Sequence, residues 1–508
     1  MRSLQVLQKH FPARVESEKR IIRDVFVIPS DFKSIISPNE GTIRILVGNK
    51  GTGKSTILEY LLQVSRENGI PAVKLKPSQI LESSFSPNDP IAIIKQRLYQ
   101  SLVLQIAATV GEELSGYVSQ NEAALLEVAY EAGKVPLGTM RKLLNFLAPI
   151  GKGITRIDFE KMLPTYSKKS EEYVRLVNSY LERQDKTFYV LIDDTDQIGN
   201  PAQSNYLDIL WGFVLAIQNL AEDCPNIKPI VTFRSEVWRS LEKDESGARD
   251  QVDHFRQMTY ELSPTVKDLK DILKRRIVYC VEELNGDLQY PYRNFFEGDG
   301  CKLPTSGERR RWEDYLVISS RFRPRDTVQL VYHLATEAIR HSKTHIDDFD
   351  VDATSLIYST ERFKDIINEN MKVCAELDII IREFRKLPFE SNAEDIREFI
   401  SRIPGAGRIT INGKLIRDGD SEGVFVIWKL LYDIEFFTPK LGDEDNYKHF
   451  RPKDDPYLVS ISRWNDMQKY TWEVHPCYRS YLIEEQKKDY FAKQVKSNKS
   501  SKRKNRRG

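Results

Sequence analysis

The chain has 508 residues, 76 Lys/Arg against 74 Asp/Glu for a formal net charge of +2, and 40% hydrophobic residues. That length predicts about three folded units, and the apolar content excludes a mostly disordered chain. No apolar run reaches the roughly 18–20 residues needed to cross a bilayer, and the charged N-terminus lacks the apolar core of a secretory signal. The expectation is a soluble, cytoplasmic protein with no membrane partner.

Residues 1–24 form an N-terminal segment ahead of a core expected over 25–264. Ile43-Arg44-Ile45-Leu46-Val47 is a short β-rich run. Gly48-Asn49-Lys50-Gly51-Thr52-Gly53-Lys54-Ser55-Thr56 follows, and Ile57, Leu58, Leu61, Leu62 and Val64 then recur at helical spacing. The order is strand, glycine loop, helix. Ala72-Val73-Lys74-Leu75 predicts a second strand, and residues 90–180 a mostly helical insertion with Ile91, Ile94, Leu98, Leu102 and Ile106 on its apolar face. Phe188 to Ile192 is an unbroken apolar run, as a buried parallel strand should be. A helix over Tyr206–Ala221 and strands at 229–233 and 258–262 continue the alternation. Strands alternating with helices predict an α/β fold with a parallel, helix-covered sheet.

After Pro264 the periodicity becomes helical, with helices near 266–277, 315–320, from Arg323 onward and over 347–377. This predicts a helical lid domain at 265–385. Residues 391–403 and 421–437 predict two further helices. Strands at 457–462 and 469–474, joined near Asn465-Asp466, predict a hairpin, so 386–485 is expected to be a winged-helix-like module. Residues 486–508 hold ten Lys/Arg against Asp489, a net +9 that leaves −7 on the rest of the chain. This segment is expected to be a disordered basic tail able to neutralise phosphates, or a solubility tail with no partner. The five cysteines are widely spaced with no CxxC pair, which argues against a disulfide framework or zinc knuckle. His341 and His345 lack a third ligand and fit a solvated helix end better than a metal site.

Gly48-x4-Gly53-Lys54-Ser55 is the phosphate-binding P-loop pattern in its strand–loop–helix context. Gly48, Gly51, Thr52 and Gly53 let backbone N–H groups wrap the phosphates, and the helix start adds positive potential. Lys54 is expected on the β and γ phosphates, Ser55 on Mg²⁺ and Thr56 on the α phosphate. Asp193, at the end of the Phe188–Ile192 strand, is the expected second Mg²⁺ residue. Asp194 is the candidate to orient the attacking water, with a helix cap or a switch residue as its alternative. Thr232 and Arg234 end the next strand, where Arg234 can meet developing phosphate charge or simply pair with Glu236. Arg323 and Arg325 open a lid helix, as nucleotide contacts or as packing and an ion pair with Asp326. The cofactors implied are ATP and Mg²⁺.

VGNKGTGKST, FYVLIDDTD, IVTFRSEVW and SSRFRPRDTVQLVYHLATEAI, in this order, resemble P-loop ATPases of bacterial defence and mobile-element neighbourhoods. They are similar to the origin-recognition/Cdc6-like, STAND and KAP branches of the additional-strand class. The resemblance covers residues 25–385. It implies a five-stranded core of order 5-1-4-3-2, a sensor arginine at Arg234, a lid contact from Arg323 or Arg325, and a nucleotide-driven switch that is often a homo-oligomer. An Asp at position 194, where related ATPases more often use Glu, implies slow turnover. No arginine finger is identifiable. Three functions are compatible: an ATPase switch working with an effector protein, plausible in antiphage defence; an ATP-gated DNA-binding initiator or recombination-type protein using the C-terminal module and tail; and a low-turnover nucleotide-binding scaffold. No nuclease, deaminase or protease constellation accompanies the motifs.

Overall fold

The computed structural model describes residues 2–12, 18–80, 85–114, 120–135, 170–198, 204–242, 249–442 and 447–504. Within the expected helical insertion, residues 136–169 lie outside this set. The chain divides into two compact units, Arg14–Asp268 and a second made of Met1–Ala13 with Leu269–Gly508.

The first unit is built on a five-stranded sheet: β1 (Arg44–Gly48), β2 (Ala72–Leu75), β3 (Phe188–Ile192), β4 (Ile227–Arg234) and β5 (Thr259–Glu261). Its order is β2-β3-β4-β1-β5, which from the other edge reads 5-1-4-3-2. All neighbouring pairs are parallel. Successive side chains on a strand point to opposite faces, and here both faces are covered. Leu46, Leu191 and Ile230 pack with Ile57, Leu58, Leu61 and Leu62 of the helix Lys54–Glu67. Their neighbours Ile45, Val47, Val190, Ile192, Val231 and Phe233 join the opposite core with helices Ile91–Glu113 and Tyr206–Asp223. This two-sided burial explains why β3 shows an unbroken apolar run. At Gly212, on the second of those helices, a Cβ would lie 2.7 Å from Ile94, so its absence permits the helices' close approach.

In the second unit, helix Arg2–His10 buries Leu4 and Leu7 in the core that contains Leu334 and Ala338 of helix Pro324–Arg340. Gln8 donates to Thr336 Oγ1 at 2.8 Å and Lys9 pairs with Glu283 at 3.0 Å. The expected N-terminal segment 1–24 is thus divided: its first part, Met1–Ala13, belongs with the C-terminal half of the chain, and the remainder with the Arg14–Asp268 unit. Helices Val266–Leu284, Trp312–Ile318, Pro324–Arg340, Asp348–Asn370 and Leu377–Glu383 follow, with a small hairpin of β6 (Gly300–Lys302) and β7 (Arg309–Arg311) among them. Further strands are β8 (Glu390–Ser391), β9 (Ile409–Ile411), β10 (Lys414–Ile416), β11 (Phe437–Gly442), β12 (Tyr447–His449) and β13 (Thr471–Val474), with helices Ala393–Ser401 and Ser421–Asp433. A four-stranded antiparallel sheet of order β12-β11-β13-β8 closes this region.

That sheet corrects the expected hairpin. Residues 457–462 form no strand, and 464–467 are a helical turn where the strand connection was expected. Arg463 grips Asp455 with two hydrogen bonds of 2.7 Å, folding the segment back on itself. The partner of β13 is instead β11, in register Phe437 with Val474. The helix expected through 437 ends at Asp433, and the helix expected through 377 breaks after Asn370. The segment expected to lack structure continues the helix Pro476–Lys504, since 477–504 contains no Pro or Gly and many good helix formers.

Candidate functional site

The loop after β1 is shaped by steric demands that glycine alone meets. A Cβ at Gly48 would sit 2.8 Å from Thr52 Oγ1 and 2.9 Å from the Leu262 carbonyl oxygen. Gly53 has φ +104, a region side chains rarely enter. The turn closes through Thr52 Oγ1, which donates to the Asn49 carbonyl at 2.9 Å. Helix Lys54–Glu67 begins at once, and Ile57 N–H donates to Gly53 O at 3.0 Å. Amides ahead of a helix's first internal bond are those left for an outside acceptor, so the loop presents an anion cradle. Lys54 folds across it, donating to Gly48 O at 2.7 Å and Asn49 O at 3.0 Å.

Across the sheet, β3 delivers Asp193 to the same place, with its N–H continuing the ladder to Leu75 O at 3.1 Å. Ser55 Oγ donates to Asp193 Oδ1 at 3.1 Å, joining residues 138 apart in sequence. Thr232 Oγ1 donates to the same oxygen at 3.0 Å, as does Asp194 N–H at 3.1 Å. Asp194 adopts φ +54, a left-handed conformation tolerated best by Asp, Asn and Gly. The following turn is tied down by Thr195, whose hydroxyl donates to the Thr232 carbonyl. Arg234 lies in register beside Gly48, at the C-terminal edge of the sheet where ligands bind in open α/β folds. Its guanidinium is 3.9 Å from Glu236, an outer-range ion pair between half-buried groups.

Gly48, Gly51, Thr52, Gly53, Lys54, Ser55, Thr56, Asp193, Asp194 and Arg234 therefore all fall at the loop, the helix start or the adjoining strand ends. The hard oxygen donors of Ser55 and Asp193, with Thr232 behind them, suit Mg²⁺ chemically. Arg323 and Arg325 belong to the second unit. There Arg323, 5% exposed, is held by Glu369 through contacts of 3.0 and 2.8 Å. Asp326, the alternative ion-pair partner for Arg323 and Arg325, is held by Arg321 at 2.8 Å and by Arg362. Arg325 is half-buried.

Sequence reasoning missed two members of the site. Lys74, inside β2, lies 3.1 Å from Asp193 Oδ2, and Glu59, on the P-loop helix, lies 3.5 Å from the same ammonium. Two signals were available. Lys74 interrupts a four-residue apolar strand, and Glu59 stands four residues after Ser55 among buried leucines.

Together these elements set a glycine-rich phosphate-binding loop, closed by a helix start, against the acidic end of β3. Residues 267–367 match a family model described as the FunZ-associated C-terminal helical domain. Over 393 residues the chain is 22% identical to the putative transposon gamma-delta 80.3 kDa protein of Escherichia coli (strain K12), covering 73% of this chain and 53% of that protein. The chain thus spans about half the length of the curated relative it matches. Among solved structures it is similar to the Aeropyrum pernix ORC2 protein, with TM-score 0.38, 10% identity and 94% and 93% of the two chains covered. It is also similar to Cdc6p from Pyrobaculum aerophilum, with TM-score 0.32, 14% identity and 90% and 96% covered. The Thermotoga maritima RuvB Holliday junction branch migration motor gives TM-score 0.28, 12% identity and 72% and 80% covered.

Proposed function

We propose that the chain is a Mg²⁺-dependent ATPase whose bound nucleotide works as a switch. The observation that carries this is the 3.1 Å hydrogen bond from Ser55 of the P-loop helix to Asp193 at the end of β3. The glycine loop would hold the phosphates, Lys54 would neutralise the β and γ oxygens, and Ser55 and Asp193 would hold Mg²⁺. The metal's chemistry is to neutralise phosphate charge as it develops. Asp194 would orient water and Arg234 would sense the terminal phosphate. Lys54→Ala removes the clamp and should weaken binding of a fluorescent ATP analogue, or abolish phosphate release, in a correctly folded protein. Wild-type binding and turnover in that variant would sink the assignment.

For the biological output, an effector partner in antiphage defence is the first proposal, and it rests on the sequence resemblance. A second reading, ATP-gated binding to DNA, is favoured by a specific observation: ten Lys/Arg against one acid in residues 486–508. The transposon name of the relative is consistent with it. Salt-dependent binding to duplex DNA separates the two.

A further inference from the structure

The polar cluster under the P-loop contains a cation that the phosphate chemistry does not use. Lys74 Nζ lies between two carboxylates, 3.1 Å from Asp193 Oδ2 and 3.5 Å from Glu59 Oε2, and its side chain is 17% exposed. Glu59 is buried at 6% exposure. It sits one turn beyond Ser55, on the same face of the P-loop helix. Its other described contacts are weak: Lys19 at 3.7 Å and Gln63 Nε2 at 3.5 Å. A buried carboxylate with such partners is costly unless a cation stays near it. Asp193 divides its two oxygens by function. Oδ1 receives Ser55, Thr232 and the Asp194 amide, whereas Oδ2 faces Lys74.

We propose that Lys74 is a resident counter-cation of Asp193 that withdraws to Glu59 when the carboxylate takes a divalent cation. The Glu59–Lys74 couple would thereby set how strongly Mg²⁺ supports nucleotide binding. This rests on the reading of Ser55 and Asp193 as the metal-side residues. The physical basis is competition. An ammonium at hydrogen-bond distance from a carboxylate oxygen occupies the lone pairs a metal needs, and two cations there repel. Glu59 offers Lys74 a second seat within reach of the same flexible side chain, so the exchange needs rotamer changes and no backbone movement. In the metal-free protein Asp193 is kept neutralised; once metal is present, Glu59 is.

Two substitutions should act in opposite directions. Lys74→Met removes the competitor, and Glu59→Gln removes the second seat and holds Lys74 on Asp193. The test uses the full chain and N-methylanthraniloyl-ATP. Its Kd is measured in excess EDTA and in excess Mg²⁺, and the ratio of the two is the metal's contribution by linkage. Lys74→Met should raise that ratio at least about tenfold, since an opposite charge within about 4–6 Å of a carboxylate is worth roughly one to three factors of ten. Glu59→Gln should lower it, the double variant should behave as Lys74→Met, and Lys74→Arg should stay near wild type. Thermal melting of each variant confirms folding. A wild-type ratio well above one that Lys74→Met leaves unchanged would overturn the inference alone. So would an equal effect of Glu59→Gln with and without Lys74, since the couple would then not exist. A wild-type ratio of one would overturn the underlying metal-site reading instead.

Discussion

Asp194 stands where backbone geometry and chemistry make competing demands. Its φ of +54 would suit an acid kept only to shape the turn after β3, and its position beside Asp193 would suit one that orients water. Asparagine separates the two roles. It enters the left-handed region almost as readily as aspartate, so Asp194→Asn removes the charge without adding strain. Nucleotide Kd should stay within about twofold. Phosphate release should fall by roughly 10²–10⁴, the usual contribution of a positioned acid–base group. Normal turnover would return Asp194 to a structural role and move water activation elsewhere. Asp194→Ala is the less informative variant, because a Cβ without the local polar side chain costs about 1–2 kcal/mol in that conformation.

At the scale of elements, the clearest unplanned feature is a buried charge network in the second unit. Asp326, 2% exposed, accepts from Arg321 at 2.8 Å and from Arg362, and Arg362 also pairs with Asp365 at 3.0 Å. Burial alone would raise the Asp326 carboxyl, but Arg321, Arg362 and Arg323 hold it well below the usual range. One of these cations, Arg321, also acts on His475, buried just before helix Pro476–Lys504. Desolvation, then Arg321, with Arg479 adding to it and Glu473 opposing, lowers its pKa to about 3. Its Nδ1 accepts from Cys477 N–H at 3.3 Å, so the ring is neutral. The sign follows from linkage. Below an unfolded value of about 6.5 the unfolded chain takes up a proton that folded His475 refuses. Stability therefore falls with pH over the window from about 6.5 to 3, by up to about 1.4 kcal/mol per unit from this group. Below about 4, Asp326 adds a loss of the same sign, because its stabilisation exists only while the carboxyl is charged. His475→Gln should flatten the slope of unfolding free energy between pH 6.5 and 4, measured by urea titration. An unchanged slope would place the acid sensitivity elsewhere. This network also marks what the sequence could reveal. The P-loop and the β3 aspartates were legible because glycine sterics and an apolar run leave local signals. Arg321, in contrast, is distinguished from Arg323 and Arg325 only by partners on other helices. β11 was hidden by Pro439 and by aromatics that continue a helical pattern, and its pairing with β13 is a contact between distant segments. Lys74 and Glu59 carry only weak local signals, and it is the packing of β2 and the P-loop helix that brings Lys74 between Glu59 and Asp193.

At the scale of the whole chain, the Arg14–Asp268 unit is inserted between two stretches that fold together, so the C-terminal segment belongs to the unit that also holds the N-terminus. Helix Pro476–Lys504 is anchored at its beginning. Tyr478, Tyr481 and Leu482 are buried, Tyr481 stacks on Phe363 at 4.0 Å, and its N–H donates to Ser359 Oγ at 3.0 Å. Beyond that anchor the chemistry changes: Tyr490 and Phe491 are exposed and cations dominate the sequence. Removing residues 486–508 therefore leaves the buried part of the helix in place. The described ion pairs it deletes are Arg385–Asp489 at 2.6 Å and Lys488–Glu485 at 2.8 Å, and Arg385 keeps Glu383 at 3.3 Å. Partly exposed pairs of this kind contribute at most about 1 kcal/mol each. The melting temperature should shift little, and ATP turnover should persist because every P-loop and β3 residue lies upstream. Binding to duplex DNA should respond differently. Each phosphate neutralised adds about −0.9 to the slope of log affinity against log salt, so five cations engaged would give about −4.5. Truncation should weaken the affinity and flatten that slope together, as measured by fluorescence anisotropy at several salt concentrations. Equal affinity and equal slope with and without the segment would identify it as a solubility appendage. The reading as an ATP-gated DNA-binding protein would then lose its main support, leaving the protein-partner switch as the function to pursue.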